Sequence, residues 1–296
     1  MDAARPFLAT AGDRPPLPTD AAALPDLGPG YADTLAEGLR SLDLILSPGA
    51  SAAIDAQARL LVAWNQHINL TAIRTPDGIA RLHILDSLTA VRLIRERAAP
   101  APSIIDLGSG GGYPGLPLAV ALPAGRLTLV DSVAKKTRFL EVVAAAAREA
   151  LAGDAITNLP DGQPDPVAIE VIAARAEQLA ADDHRESWDV VTVRAVGSLV
   201  EVVELGLPLL RRGGLLVCWK RETGSAEADT PGAGGLDREM REARTLGTEL
   251  GGDPPEVVPV EAAGLPGHRL VLVHKAHPTP RRFPRVPAER RRRLLR

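Results

Sequence analysis

A glycine-rich turn is the part of the sequence with the clearest chemistry. From Ile104 to Gly115 a short apolar run is followed at once by five glycines. Gly108, Gly110 and Gly112 can adopt positive φ and carry no Cβ, so the chain can turn sharply and a flat, polar ligand can approach the main chain. We expect a ligand to lie on this backbone.

The spacing of the glycines does not by itself identify the ligand. Gly110, Gly112 and Gly115 match G-x-G-x-x-G, which also serves a dinucleotide pyrophosphate. Asp106, at the strand end before the first glycine, would repel pyrophosphate but suits a cationic cosubstrate, and a second nucleotide-binding βαβαβ half is missing. Both features favour S-adenosylmethionine. A turn that only packs a helix on a strand is the alternative.

A second candidate ligand is Asp131. It closes the next strand nineteen residues after Gly112, where a doubly wound fold presents a carboxylate to two ribose hydroxyls. The alternative is an N-cap role for Asp131 or Ser132, because a helix starts directly behind them. The glycine turn upstream favours ribose binding.

The elements that would position these residues follow from periodicity. Helical spacing places Leu35, Leu39, Leu42 and Leu46 on one stripe, and it predicts a second helix from about Ser51 and a third from about Pro76 to Ile94. Apolar β-rich runs alternating with helices then predict a parallel sheet covered on both faces. The predicted strands are Ser103–Leu107, Arg126–Asp131, Ala168–Ala173, Asp189–Val193, Gly214–Trp219, Glu256–Val260 and His268–His274.

The fold class is therefore α/β, a doubly wound Rossmann-like sheet preceded by a helical region. The last two runs are joined without a helix, so they should form a hairpin with an antiparallel final strand, an ending typical of class I methyltransferases. The predicted divisions are a disordered extension (1–30), a helical N-terminal region (31–100), the sheet domain (101–276) and a basic C-terminal tail (277–296).

Composition sets wider bounds. The chain of 296 residues is 45% hydrophobic and 24% charged, which is ordinary for a globular protein. No apolar stretch reaches the roughly 20 residues that span a bilayer, and the N-terminus lacks the pattern of a secretory signal, so a cytoplasmic protein is expected. The single cysteine, Cys218, excludes an internal disulfide and a cysteine-rich zinc site, and no metal is expected.

The charge is unevenly distributed. The whole chain carries −3, but Lys275 to Arg296 holds nine Lys or Arg against Glu289 alone, a local charge of +8 that leaves −11 on the rest. A basic tail on an acidic body is typical of an extension that binds a polyanion. A solvated, disordered tail is the alternative, and the two interpretations stay open for Arg290 to Arg293.

Several motifs together resemble one family, the bacterial small-subunit ribosomal RNA guanine-N7 methyltransferases, once called glucose-inhibited division protein B. The likeness extends over roughly residues 46 to 275, with motifs in family order and spacing. They are Trp64-Asn65, Asn69-Leu-Thr71, His83-Ile-Leu-Asp-Ser87, Asp106-Leu-Gly-Ser-Gly110, Pro114-Gly-Leu-Pro117, Leu129-Val-Asp-Ser132, Lys135, Arg138-Phe-Leu140, Arg175-Ala-Glu177 and Val193-Arg-Ala195. One departure is His268-Arg269, where the family usually has Arg-His.

The resemblance implies methyl transfer from S-adenosylmethionine to N7 of a guanine, guanine 527, in 16S ribosomal RNA. The acceptor is the RNA or the small ribosomal subunit, and the enzyme is expected to be a monomer without membrane attachment. The implied cofactor contacts, added to Asp106, Gly110 and Asp131, are Gly108, Tyr113, Ala176, Glu177 and Arg194. An ordinary helix-terminal charge at Glu177 and a surface ion pair at Arg194 are the alternatives.

Three side chains are candidates at the reacting centre: His83, Lys135 and Arg194. His83 and Asp86, at i and i+3, share a helix face that the resemblance places near the pocket mouth. His83 can bind the target base or its phosphate, or it can be a structural hydrogen-bonder. Lys135 can contact phosphate or be a solvated helix charge. Trp64 and Asn69 are interpreted as packing and loop-fixing residues.

The sequence shows no obvious catalytic dyad, and methylation of guanine N7 does not need one. Guanine N7 already carries a lone pair, so an in-line displacement at a sulfonium needs no general base. Cys218 lies in the middle of an apolar strand, where a buried thiol is expected and not a nucleophile. Two other functions stay open: a nucleotide-dependent oxidoreductase that uses the G-x-G-x-x-G turn, and a non-catalytic RNA-binding module that uses the basic tail.

Overall fold

One seven-stranded sheet forms the centre of the molecule. A computed structural model describes residues 16–122, 124–156, 167–181, 183–221, 235–262 and 264–294. The strand order is β3-β2-β1-β4-β5-β7-β6, and only β7 runs antiparallel to its neighbours. The strands are β1 (Ser103–Leu107), β2 (Arg126–Asp131), β3 (Ala168–Ala173), β4 (Trp188–Arg194), β5 (Leu210–Arg221), β6 (Glu256–Pro259) and β7 (His268–His274). The predicted doubly wound sheet with an antiparallel last strand is confirmed.

The sheet is buried on both faces, which explains its uninterrupted apolar strands. Ile104 faces one hydrophobic cluster and the next residue, Ile105, faces the other, as strand alternation requires. The first cluster also contains residues of the N-terminal helices, where the ring centroids of Trp64 and Phe139 lie 5.4 Å apart. The helical region therefore shares a core with the sheet.

Helices cover both faces of the sheet. They are α1 (Pro29–Ser41), α2 (Pro48–Asn65), α3 (Pro76–Ile79), a π-helical segment (Ala80–Leu85), α4 (Asp86–Leu88), α5 (Val91–Arg97), α6 (Gly115–Ala121), α7 (Ala134–Ile156), α8 (Ala176–Leu179), α9 (Leu199–Gly206), α10 (Leu236–Glu249) and α11 (Pro287–Leu294). Among the described helices, none has the length and apolar character that membrane crossing requires.

The third predicted helix, from about Pro76 to Ile94, is wrong as a single α-helix. It is divided into α3, the π-helical segment and α4, and a turn at Thr89 and Ala90 separates these from α5. The apolar period continues across the break, so periodicity alone cannot reveal it. The helix is interrupted because the side chains of Arg194 and Trp219, from β4 and β5, bind backbone oxygens of this stretch.

The N-terminal extension is better ordered than its composition indicates. Residues 1–15 lie outside the described residues, but the following segment packs along α2. Trp64 Nε1 donates to the Pro18 oxygen at 2.7 Å, and Arg59 contacts both the Leu24 oxygen and the Asp26 carboxylate. Residues 16–28 therefore pack on the body of the protein, which the disorder predicted for 1–30 does not include: α2 supplies donors to their backbone, and Leu17, Leu24 and Leu27 lie against the core.

Candidate active site

The glycine turn has the backbone that its sequence requires. Gly108, Gly110 and Gly112 have φ of 71°, 54° and 83°. Among the described residues, the only atom within 4 Å of a Cβ added at Gly110 is the Gly108 oxygen, at 3.8 Å, so open space lies over Gly110. At Gly112 such a Cβ would come within 2.7 Å of Gln57 Nε2, which itself donates to the Gly111 oxygen. Gln57 therefore fixes the turn at Gly112, the Val196 side chain lies against Gly108, and the open space is over Gly110.

Asp106 lies beneath this turn and is fully buried. Thr192 Oγ1 donates to its Oδ1 at 2.8 Å. Burial raises the pKa of the Asp106 carboxyl to about 6, and the hydrogen bond from Thr192 limits the rise. The side chain therefore supports the turn from inside the sheet instead of facing solvent.

Asp131 is tied to the turn by its carboxylate. Its Oδ2 accepts a hydrogen bond from the Gly110 N–H at 3.1 Å, and its Oδ1 accepts one from the Val133 N–H at 2.9 Å. Each oxygen keeps a second lone pair for a ligand hydroxyl. The bond to Val133 is a local turn contact, so structural and ligand-binding roles coexist in one side chain.

Arg194 ends β4 at the centre of a polar cluster. Its Nη1 donates to Asp86 Oδ2 at 3.0 Å and to the backbone oxygens of Leu82 and His83 at 3.2 and 3.4 Å. The Arg194 and Asp86 side chains are only 15% and 4% exposed, so this is a buried ion pair and not a surface one. The next residue, Ala195, has a φ of 57°, a conformation that costs non-glycine residues about 1–3 kcal/mol and is common at functional sites.

The His83 ring is neutral and accepts a hydrogen bond from Arg194. Arg194 Nη2 donates to His83 Nδ1 at 3.3 Å, so the ring proton lies on Nε2, which donates to Thr71 Oγ1 at 2.7 Å. Burial, with the Arg194 charge second, lowers the pKa of His83 to about 3. The ring also stacks on Tyr113 with centroids 4.9 Å apart. Both nitrogens are occupied, which favours the structural interpretation of His83.

Sequence reasoning did not single out two residues of this cluster as site residues. His268 Nδ1 donates to Asp86 Oδ1 at 2.8 Å, and Trp219 Nε1 donates to the Asp86 backbone oxygen at 2.8 Å. Asp86 thus joins the helical region to β4, β5 and β7. His268 is 182 residues from Asp86 in the chain, so no local pattern reveals the pair.

A cavity of about 290 Å³ opens beside the cluster, at the carboxyl ends of β4 and β5. Its wall contains Asp86, Arg194, Ala195, Val196, Gly197, Cys218, Trp219, Lys220, Arg221 and His268. Lys220 Nζ is paired with Glu239 Oε2 of α10 at 2.6 Å. Cys218 is buried as expected, and burial raises the pKa of its thiol to about 12, so it is not a thiolate nucleophile.

The other predicted residues occupy different parts of this edge. Tyr113 is buried, with the Arg194 guanidinium 5.8 Å from its ring centroid. Ala176 and Glu177 form the first turn of α8, just after β3, whose Ala173 pairs with Asp131. Lys135 is exposed on the first turn of α7 and does not join the Arg194 cluster.

The loop after α2 is fixed by a residue other than the one expected. Asn69 is exposed, whereas Asn65 Oδ1 accepts hydrogen bonds from the N–H groups of Leu70 and Thr71, and its Nδ2 donates to the Thr71 oxygen. The loop-fixing role predicted for Asn69 belongs to Asn65. The expected packing role of Trp64 is confirmed.

Solved structures resemble this chain only weakly. An O-methyltransferase, TomG of Streptomyces achromogenes in complex with SAM, is 21% identical, with 81% of this chain and 94% of that chain covered and a TM-score of 0.47. Aeropyrum pernix fibrillarin with bound S-adenosyl-L-methionine is 18% identical, with 63% and 73% covered and a TM-score of 0.41. At these TM-scores the likeness carries no argument about the ligand or reaction of this chain.

Sequence relatives are much closer. A protein of Roseiflexus castenholzii named Ribosomal RNA small subunit methyltransferase G is 39% identical over 234 residues, which cover 78% of this chain and 86% of the relative. A protein of the same name from Symbiobacterium thermophilum is 34% identical over 264 residues, which cover 88% and 97%. The family model described as rRNA small subunit methyltransferase G matches residues 51–152 and 165–233. The resemblance noted from the motifs is confirmed: the chain belongs to the rRNA small subunit methyltransferase G family.

Proposed function

We propose that this protein transfers a methyl group from S-adenosylmethionine to N7 of a guanine in small-subunit ribosomal RNA. Family membership makes it an rRNA methyltransferase. The observation that carries the finer proposal is the position of the open glycine turn and the Arg194 cavity at one edge of the sheet. Ligands of doubly wound sheets bind at the carboxyl ends of the strands.

The residues present fit S-adenosylmethionine. Open space over Gly110 admits a flat ligand close to the backbone, and Asp131 keeps acceptor capacity for ribose hydroxyls. When bound, the cofactor supplies a methyl group on a sulfonium. The residues that would hold it are Gly108, Gly110, Tyr113, Asp131, Ala176 and Glu177, with Asp106 supporting the turn.

The cavity beside Arg194 is our candidate for the acceptor base. Its volume of about 290 Å³ is near the lower end of small-ligand pockets, roughly 300 to 1,000 Å³. Arg194, Lys220 and His268 bring donors to its wall, and guanine offers acceptors at O6 and N7. Arg194 acts as a fixed wall, because Asp86 and His83 hold its guanidinium.

No proton transfer is required of the protein. A bound cofactor would give its methyl group to the N7 lone pair and leave as the neutral thioether, so the positive charge would pass from sulfur to the guanine. The task left to the protein is alignment of the two reactants and exclusion of water. A neutral His83 with both nitrogens occupied is consistent with this, since it has no free base to offer. His83 and Asp86 therefore position Arg194.

Family membership argues against the two other functions left open by the sequence. A nucleotide-dependent oxidoreductase would bind NAD, and a non-catalytic RNA-binding module would transfer no methyl group. The small ribosomal subunit as acceptor, a monomeric state and a cytoplasmic location stay predictions.

The test is transfer of labelled methyl from S-adenosylmethionine to small-subunit RNA, with the modified nucleotide mapped. The purified protein is given the free RNA and the assembled subunit separately. We expect label at N7 of one guanine. Label on another atom would overturn the N7 proposal, and tight NAD binding without adenosylhomocysteine binding would overturn the cofactor.

A matched pair of variants tests the Arg194 site. Arg194→Ala should reduce methyl transfer by about 10²-fold, because the acceptor wall loses its position. Arg211→Ala is the control: Arg211 also pairs with a buried aspartate, Asp189, but it lies at the opposite end of the β4–β5 pair. Equal losses of activity in the two variants would show that only stability was affected.

A further inference from the structure

The C-terminal arm, residues 277–294, is fixed to the body of the protein. Phe283 is buried in the hydrophobic cluster on one face of the sheet. The Arg185 guanidinium donates to the backbone oxygens of Thr279, Pro280 and Phe283 at 2.8, 3.1 and 2.8 Å. These contacts order the arm before α11 begins.

A buried ion pair extends this attachment to the start of α11. The Arg285 N–H and Nε donate to Glu204 Oε1 at 2.9 and 2.8 Å, and Arg285 Nη2 contacts Glu204 Oε2. The Glu204 side chain is 2% exposed. Arg290 Nη1 then donates to the Arg285 backbone oxygen at 2.9 Å, so the position of Arg290 is set by the arm.

Arg290 carries the arm to the carboxyl edge of the sheet. Its Nη2 donates to Glu177 Oε1 at 3.1 Å, and the two side chains are 11% and 16% exposed. Glu177 follows β3, whose last residue pairs with Asp131 on the neighbouring strand. Within the described residues no group is hydrogen bonded to Glu177 Oε2. That oxygen remains available as an acceptor at the edge of the sheet where Asp131 also lies.

We infer that Arg290 is a positioning residue of the cofactor site. It holds the Glu177 carboxylate in one orientation through its bond to Oε1, so that Oε2 accepts a hydrogen bond from a donor on the adenosyl half of the cofactor. A carboxylate held in advance loses less rotamer freedom on binding than a mobile one, and the gain appears as affinity. The inference rests on the proposed function. It gives the arm a part in cofactor binding, although the arm lies beyond the residues that the family model matches.

Calorimetric titration of the full-length protein with adenosylhomocysteine tests this inference. Arg290→Ala should weaken binding about tenfold, the effect of losing one well-placed charged contact. Arg290→Lys should restore part of the affinity. Arg282→Ala is the matched control, because Arg282 is an arm arginine whose 2.8 Å ion pair is with Glu249 of α10, away from Glu177. It should bind as the wild type does.

Two further readouts separate positioning from a general effect on stability. In steady-state assays Arg290→Ala should raise KM for S-adenosylmethionine and leave kcat within about twofold, because it acts on binding. In a double-mutant cycle, Arg290→Ala should have no further effect in a Glu177→Gln background.

Three results would overturn the inference: an affinity of Arg290→Ala equal to that of Arg282→Ala, a tighter affinity that would make the arm a competitor of the cofactor, or an undiminished effect in the Glu177→Gln background. A wild-type protein that does not bind adenosylhomocysteine would instead overturn the proposed function itself. The two failures are therefore distinguishable.

Discussion

Burial shifts the pKa values of two side chains at the site in opposite directions. It lowers the pKa of His83 to about 3, which keeps the ring neutral, and it raises the pKa of Asp106 to about 6. In both cases the charged form is disfavoured by removal from water. The resulting pH dependences of stability oppose each other. His83 favours the folded state more as the pH rises from about 3 to 6.5, and Asp106 favours it less as the pH rises from about 4 to 6.

Substitution of His83 isolates its contribution to the pH dependence of stability. In the unfolded chain His83 binds a proton below about pH 6.5, whereas the folded protein does not until about pH 3, so its stabilising contribution is lost as the pH falls. We expect the stability advantage of the wild type over His83→Asn to shrink by up to about 1.4 kcal/mol per pH unit in this window. Urea unfolding of both proteins from pH 4 to 8 measures it. A constant difference would mean that the pKa of His83 is the same in the folded and unfolded states.

Asp131 tests cofactor binding at one residue. Asp131→Ala should lower adenosylhomocysteine affinity strongly, because the ribose hydroxyls lose a charged acceptor and each such bond is worth roughly 1.5–3 kcal/mol. Asp131→Asn retains the size of the side chain and removes its charge. The Gly110 bond also fixes the turn, so a melting curve must accompany each titration. Unchanged affinity in both variants would remove Asp131 from the site.

The residues found from sequence are those whose chemistry is local. The glycine turn and Asp131 follow from a strand, a spacing and a helix start within thirty residues, and backbone geometry at the turn matches them. Asp86 could be placed on a helix face, but its partners Trp219 and His268 lie 133 and 182 residues away. Such contacts depend on the packed sheet, which no pattern in one segment contains.

At the scale of elements, strands were easier to predict than the third helix. The predicted bounds of β1, β2, β3 and β7 coincide with those observed, because apolar runs end at turns. The ladder of β5 extends to Leu210 through Arg211 and Gly213, whose polarity conceals it. Periodicity does not reveal the π-helical segment, because the apolar spacing continues through it. The side chains of Arg194 and Ser87 bind its Leu82 and His83 backbone oxygens, and these contacts depend on tertiary packing.

The arm is predicted to be a structural element. Arg285→Ala should lower the free energy of unfolding by about 3–5 kcal/mol, because it leaves the Glu204 carboxylate buried without its partner. Arg282→Ala, in which an exposed pair is lost, should cost no more than about 1 kcal/mol. Chemical denaturation of the two variants measures the difference. Equal small losses would mean that the arm is not part of the cooperative fold.

At the scale of the whole molecule, the basic C-terminal end has two candidate roles, attachment to the body of the protein and binding of RNA. The sequence suggested either a tail that binds RNA or a solvated tail, yet Arg282, Arg285 and Arg290 each pair with a glutamate of the body. The solvated interpretation does not fit Arg285 and Arg290, whose ion pairs are largely buried, whereas the pair of Arg282 is exposed. Truncation after His277 would remove buried Phe283 and Arg285, and so would confuse loss of fold with loss of RNA contact.

Substitution of Arg291, Arg292, Arg293 and Arg296 by glutamine separates these two roles. It removes four positive charges from the end of the chain and retains the full length of α11 and Arg290 with its Glu177 contact. If these arginines neutralise phosphates, RNA affinity should fall and the log-log salt slope should flatten by about 0.7–0.9 per lost contact. Adenosylhomocysteine affinity should stay at the wild-type value, because the cofactor edge is intact. Binding measured at several salt concentrations decides the matter, and an unchanged slope would leave this end without a role in holding RNA.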